Sequence, residues 1–285
     1  MILELTRREV MRAMLTSGPA MKLRDMLQQS SSGGITPVLR QVTIPIAGLD
    51  RRLDGMRVGQ LTDVHVGATL GLDHLQRALG VFGKTAPDIL CVTGDLLDDP
   101  RLTRPSMDLL AGRKAPYGAY YSLGNHENFV DRNAIITAAR AHDTVKLLVN
   151  ESVTVEVQGA KVNLSGVDYP EDQEATVQRQ PINAACVASA TQCAPDGDLR
   201  LCLAHHPDDF DEIARRGVEL TMSGHTHGGQ IAPVIASILA RPFKYFYGSY
   251  KQDQSHLYVS GGTGHNFPLR LGVPMEVTEF TLRRV

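Results

Sequence analysis

The chain has 285 residues, 42% of them hydrophobic, and a formal net charge of −2. That length suits one large α/β domain or two small ones, with ample core, and the near-neutral charge argues against a dedicated nucleic-acid binder, which is usually basic overall. Four cysteines are too few for a disulfide scaffold, and no stretch approaches the ~20 apolar residues of a membrane span.

Residues 1–41 read as an N-terminal helix followed by a flexible linker. Val10, Met11, Met14 and Leu15 fall on one helical face, with arginines on another. Such a helix packs on a domain or lies on a membrane surface. The run Thr6-Arg7-Arg8-Glu9-Val10-Met11-Arg12 also has the look of a twin-arginine export signal, but Lys22, Arg24 and Asp25 break the apolar region that should follow. Export by a degenerate signal therefore stays open beside a packed or surface-lying helix. Ser30-Ser31-Ser32-Gly33-Gly34 has linker composition.

Residues 42–285 carry the remaining pattern. Val42, Ile44 and Ile46 alternate as in a half-buried strand, and Leu72, Leu75, Leu79 and Phe82 share one helical face. Asp88 to Thr93 is a continuous apolar strand of the kind buried on both sides. A helix over 104–112, a strand over 119–123 and a helix over 131–142 follow, the last with Asp131 as N-cap. Val153, Val155 and Val157 then pair through Gly159-Ala160 with Val162 and Leu164 as a hairpin. Residues 170–197 are polar and form a surface excursion with a short helix. Strands over 199–204 and 218–223 flank a helix over 210–216, and Leu257–Ser260 and Met275–Leu282 are again β. Pro233 to Gly248 reads either as core or as an apolar and basic flap that meets lipid or an acyl chain. Cys91 and Cys202 sit in apolar runs and are core residues. Cys186 and Cys193 share a polar loop, where an oxidising compartment would allow them to pair. The early β-α-β-α rhythm and the later antiparallel strands together predict a mixed α/β sandwich of two sheets.

Five motifs stand at the carboxyl ends of predicted strands: Asp63/His65, Asp95/Asp98, Asn125/His126, His205/His206 and His225/His227. In open α/β sheets, ligands bind outside those ends. Six of the ten histidines fall in these motifs, which makes incidental placement a poor explanation. Each motif alone has a plain reading as a cap, a turn or a core histidine; one metal site accounts for all five. Carboxylate, imidazole and one amide, without thiolate, suit Mn, Fe or Zn ions rather than a structural cysteine–zinc site. The ligands outnumber what one ion takes, which points to two divalent metal ions.

The set Asp63-x-His65, Gly94-Asp95-x-x-Asp98, Gly124-Asn125-His126-Glu127, His205 and Gly224-His225-x-His227 resembles the calcineurin-like metallophosphoesterase superfamily. Gly224-His225-Thr226-His227-Gly228-Gly229-Gln230 and Val259-Ser260-Gly261-Gly262-Thr263-Gly264 resemble one bacterial, membrane-associated branch of it, described in part as phosphodiesterases or UDP-diacylglucosamine pyrophosphatases. The resemblance implies a four-layer α/β/β/α sandwich. It implies that Asp63, His65 and His227 hold one ion, that Asn125, His205 and His225 hold the other, and that Asp95 bridges them. It implies hydrolysis of a phosphoester by a metal-activated hydroxide, with His126 as general acid oriented by Asp98. Cyclic-nucleotide phosphodiesterase or nuclease activity at the same centre is the alternative, and a non-catalytic metal-bound scaffold is a weaker one. Arg270 is a candidate contact for the substrate phosphate. A cytoplasmic protein, or one peripheral at the inner membrane surface, is expected. Thr62 and Glu127 replace the more common serine and aspartate, without consequence for the ligand set.

Overall fold

A computed structural model describes residues 36–67, 69–83, 86–113, 115–169, 184–191, 198–230, 243–265, 270 and 272–285, without the side chains of 184–186. The N-terminal helix and export-signal readings, the apolar part of the 233–248 segment, and the Cys186–Cys193 pairing all fall outside the described residues or side chains.

Two six-stranded mixed sheets form the body. The first runs in the order β1 (Val38–Ile46), β12 (Glu276–Arg284), β2 (Arg57–Leu61), β3 (Ile89–Thr93), β4 (Ala119–Ser122) and β5 (Val145–Leu147). The second runs β10 (Gly248–Gln252), β11 (Ser255–Val259), β9 (Leu220–Ser223), β8 (Leu199–Ala204), β7 (Ala160–Val167) and β6 (Glu151–Val157). Strands β2, β3, β4 and β5 are mutually parallel, with Gln60 opposite Cys91 and Val92 opposite Tyr121. Strands β7, β8, β9 and β11 are likewise parallel, with Leu164 opposite Leu201 and Leu203 opposite Met222. The predicted hairpin is β6–β7, with Val155 opposite Val162.

Side-chain alternation along the strands builds the layers. In β3, Ile89 and Cys91 enter the core between the sheets, together with Val58, Leu164, Leu201, Leu203, Met222 and Phe280. Leu90 and Val92 point the other way, into a core shared with helices α1 (Leu72–Gly80), α2 (Thr103–Gly112) and α4 (Arg132–Arg140) through Leu75, Met107 and Ile135. That is why β3 reads as a continuous apolar run. On the far side, Cys202 and Ala204 of β8 meet Val187 of α5 (Ala184–Thr191) and Ile213 of α6 (Phe210–Arg215). The result is the expected α/β/β/α sandwich. Each large apolar side chain buried this way contributes about 1.5–3 kcal/mol. Gln60 crosses between the sheets, donating to Thr93 Oγ1 at 2.9 Å and to the Ser223 carbonyl at 3.0 Å.

Strand β1 begins four residues before the expected start at Val42, because Val38 to Gln41 are exposed and carry no apolar alternation. Asp131 does cap α4, accepting from the Ala134 amide at 3.0 Å. A short helix, α3 (Asn125–Phe129), and strand β5 escape the sequence pattern, being too short to display a period.

Candidate active site

Every sequence-predicted motif lies just past a strand: Asp63 and His65 after β2, Asp95 and Asp98 after β3, Asn125 and His126 after β4, His205 after β8, and His225 and His227 after β9. Because these strands are parallel within their sheets, the loops meet at one end of the sandwich. Backbone hydrogen bonds stitch them together: Asp63 N donates to Gly94 O at 3.1 Å, His65 N to Asp95 O at 3.0 Å, and Gly224 N to His205 O at 3.1 Å. A sixth loop, after β11, joins through Thr263 N to Thr62 O at 2.8 Å and Gly264 N to Asp63 O at 2.7 Å.

The close approach requires glycine at two places. A methyl group on Gly224 would overlap Asp63 Oδ2 and Thr62 Oγ1, and one on Gly124 would lie 2.6 Å from the Asp95 amide nitrogen. The backbone is also strained. Asp63, His65, Asp95, His225 and His227 all have positive φ, between 50° and 72°. For such residues the left-handed region costs of order 1–3 kcal/mol each and persists only where the surroundings enforce it.

Three groups of side chains converge. Asp63, His65 and His227 each bring a ligand atom within 4.8 Å of the others, as do Asp63, Asp95 and His205, and His65, Asp98 and His126. In the first group, Nε2 of His65 and Nε2 of His227 are 3.2 Å apart, and Asp63 Oδ1 is 3.4 Å from His227 Nε2. In the second, His205 Nδ1 donates to the Thr93 carbonyl at 2.8 Å, which turns Nε2 toward Asn125 Oδ1 at 3.1 Å and Asp95 Oδ2 at 3.2 Å. His225 Nδ1 approaches the same Asn125 oxygen, at 2.8 Å. His225 and His227 thus face different groups. In the third, Asp98 Oδ1 accepts from His126 Nδ1 at 2.8 Å and from His65 Nδ1 at 3.2 Å.

The electrostatics fit a pocket short of positive charge. Burial raises the Asp63 carboxyl, and the neighbouring Asp95 charge adds to this. Burial also opposes ionisation of Asp95, but the His205 imidazolium holds it well below the usual carboxylate range. Burial works against the charge on His205, yet Asp95 and Asp63 raise its pKa to about 9. His126 likewise rises to about 9: burial lowers it, and the hydrogen bond to Asp98 with the Asp95 charge outweighs that. His227 is held neutral by burial and by the adjacent Arg270 guanidinium.

Arg270 is placed behind His227. Only 3% exposed, it donates to the Gly261 carbonyl at 2.6 Å, to His227 Nδ1 at 2.8 Å and to the Gly264 carbonyl. Glu127 carries more of the site than its sequence reading suggested. Fully buried, its carboxylate accepts from the amides of Gly124, Asp95, Leu96 and Leu97 and from the Tyr121 hydroxyl, at 2.7–3.2 Å. It holds the Asp95 loop against α3, and no local sequence signal marks those long-range donors. Glu276 has a similar part: buried, it accepts from Tyr258, Ser260 and the Gly261 amide, fixing the loop after β11. Past His225, the rings of Tyr169, His206 and Phe243 form an aromatic wall, with centroids 5.8, 4.9 and 5.7 Å from the imidazole. Lys244 and Tyr245 anchor the end of the 233–248 segment on Asp211 of α6, at 2.6 and 2.8 Å.

A family profile described as calcineurin-like phosphoesterase matches residues 56–229, a span that holds all five motifs. The chain is 32% identical over 260 residues to a Danio rerio transmembrane protein with metallophosphoesterase domain, covering 87% of this chain and 58% of that protein. It is 27% identical over 253 residues to the uncharacterized metallophosphoesterase YkuE of Bacillus subtilis, covering 85% and 84%. The chain thus spans less than two thirds of the Danio rerio relative's length. TT1561 of Thermus thermophilus shares the fold, with a TM-score of 0.50 at 11% identity over 73% of this chain and 89% of that one. No helix among the described residues is long and apolar enough to cross a membrane.

Proposed function

The chain belongs to the calcineurin-like phosphoesterase family; from that premise we propose that it is a metal-dependent phosphoester hydrolase, a phosphodiesterase or pyrophosphatase acting on a small or lipid-linked substrate. The observation that carries the reading is the convergence of two carboxylates, four imidazoles and the Asn125 amide on one pocket, with the His126–Asp98 pair beside it.

The donor set fits two divalent cations. His65 and His227 turn ring nitrogens toward one point beside Asp63, and His205 and His225 turn theirs toward Asn125 Oδ1. Asp63, His65 and His227 would hold one ion and Asn125, His205 and His225 the other, with Asp95 between them. When bound, the two ions supply Lewis acidity toward phosphoryl oxygens and make a water nucleophilic near neutral pH.

The chain's own residues do the rest. Asp98 accepts the Nδ1 proton of His126, which fixes the tautomer and leaves Nε2 to give a proton to the departing oxygen. In the absence of metal, burial is outweighed by the Asp98 hydrogen bond and the Asp95 charge, which raise the His126 pKa to about 9, and the Asp98 partner favours the protonated form a proton donor requires. The Thr93 carbonyl orients His205 through Nδ1. Buried Arg270 and Glu276 hold the ring of His227 and the loop that closes over Asp63.

The test is a screen of the metal-reconstituted protein against mono-, di- and pyrophosphate esters, with a diacyl UDP-sugar and single-stranded DNA included. Turnover of diesters or pyrophosphates above monoesters is expected. Exclusive cleavage of DNA or cyclic nucleotides overturns the substrate reading.

A further inference from the structure

Phe129, the last residue of α3, leaves 53% of its surface exposed, and its neighbour Val130 leaves 39%. Among the described residues, the other large apolar side chains so exposed are Val38 and Leu39 on β1 and Val285. Only the Phe129–Val130 pair belongs to a motif loop. An isolated exposed apolar residue needs no explanation, but this one has a particular neighbour. The Phe129 ring centroid is 5.3 Å from that of His126, at an interplanar angle of 59°.

The ring is carried on a rigid support. On one side Glu127 is buried and accepts five hydrogen bonds. On the other, Arg132 is paired with Asp168 at 2.7 and 3.0 Å and donates to Asn128 at 3.2 Å. Phe129 is therefore presented to solvent beside the imidazole by a segment fixed at both ends, the condition in which a contact costs little ordering on binding.

We propose that Phe129, flanked by Val130, determines leaving-group specificity, favouring phosphoesters whose leaving group presents an apolar or aromatic face. The inference rests on His126 as proton donor. His126 Nδ1 is engaged by Asp98, so the proton passes from Nε2 to the leaving oxygen. The carbon skeleton attached to that oxygen must then lie beside the imidazole, where, among the described residues, the Phe129 ring offers an exposed apolar surface. Contact with the ring removes apolar area from water and adds an aromatic pairing when the leaving group is itself aromatic.

The experiment compares methyl phenyl phosphate with methyl 2-naphthyl phosphate on the metal-loaded protein. The aryl oxide departs from both, and the two differ chiefly in apolar area. The wild-type protein should show a higher kcat/KM for the naphthyl ester. Phe129→Ala should cut that preference about fivefold, at unchanged metal content and circular dichroism, and Phe129→Trp should retain it. A naphthyl-to-phenyl ratio in Phe129→Ala equal to wild type, with turnover intact, overturns the inference and leaves the proposed function standing. No metal-dependent turnover of any phosphoester by the wild-type protein overturns both.

Discussion

Metal uptake should displace a proton from His205, and the structure says how strongly the two compete. Nδ1 of His205 donates to a carbonyl, and Nε2 faces two acceptors, Asn125 Oδ1 and Asp95 Oδ2. Without a cation, that arrangement is satisfied only by the imidazolium, in which both nitrogens donate. Its pKa of about 9 agrees. At pH 7.5 the proton is then held by roughly 1.5 pH units, or about 2 kcal/mol, against any cation that needs the same lone pair. Metal affinity at pH 7.5 should be about 30-fold weaker than for a neutral His205, and should rise about tenfold per pH unit until pH approaches the histidine pKa. Titration calorimetry of Mn²⁺ into chelator-treated protein, in buffers of different ionisation enthalpy, should report release of at least about one proton per chain at pH 7.5. His205→Gln should lose that component. An observed binding enthalpy independent of buffer, with affinity flat between pH 6.5 and 8.5, would refute the assignment of His205 Nε2 to the cation.

Other perturbations separate the parts of the site. Gly224→Ala drives a methyl group into Asp63 and Thr62; displacing that ligand by about 1 Å should cost on the order of 100-fold in activity, with lower metal content by elemental analysis. Glu127→Ala strips a buried carboxylate from four amides and a tyrosine hydroxyl, and should lower unfolding stability in urea by at least about 3 kcal/mol, while Glu127→Asp should lose less. His126→Ala should keep both metals and lose about 100- to 10,000-fold on alkyl leaving groups, with a much smaller loss on p-nitrophenyl esters; equal losses on both would contradict a proton-donor role. In the metal-free protein, the raised pKa values of His126 and His205 make their contribution to stability complete below pH 6.5, and it should vanish as pH rises through about 9. A melting temperature that climbs across that window would count against the Asp95 and Asp98 pairings.

What could be read from the chain and what could not divide along a physical line. A fully buried strand announces itself, because both of its faces are apolar: β3 is a continuous apolar run, β8 is one beyond Arg200, and the polar residues that end them are conspicuous. Parallel pairing then brings those ends together, so the motif residues meet without any one of them encoding the meeting. Partners that act across more than one loop leave no such trace. Glu127 looks like one more acid after a glycine and an asparagine, yet its contacts come from Tyr121, Gly124 and the 95–97 backbone. Nothing in Asp63, His65, Asp95, His225 or His227 as residue types foretells positive φ, which follows from the loops being drawn against one another. Arg270 suggested a phosphate contact because arginine so often makes one, and only the fold reveals the bonds its guanidinium makes to His227 and two loop carbonyls. These unreadable features share a consequence. The loops are held by backbone bonds, buried carboxylates and glycine contacts between protein groups, none of which uses a cation as a partner. Chelation should therefore abolish turnover while leaving the sandwich folded. The positive φ values cost of order 1–3 kcal/mol each, and the packing of the loops against one another helps to offset that.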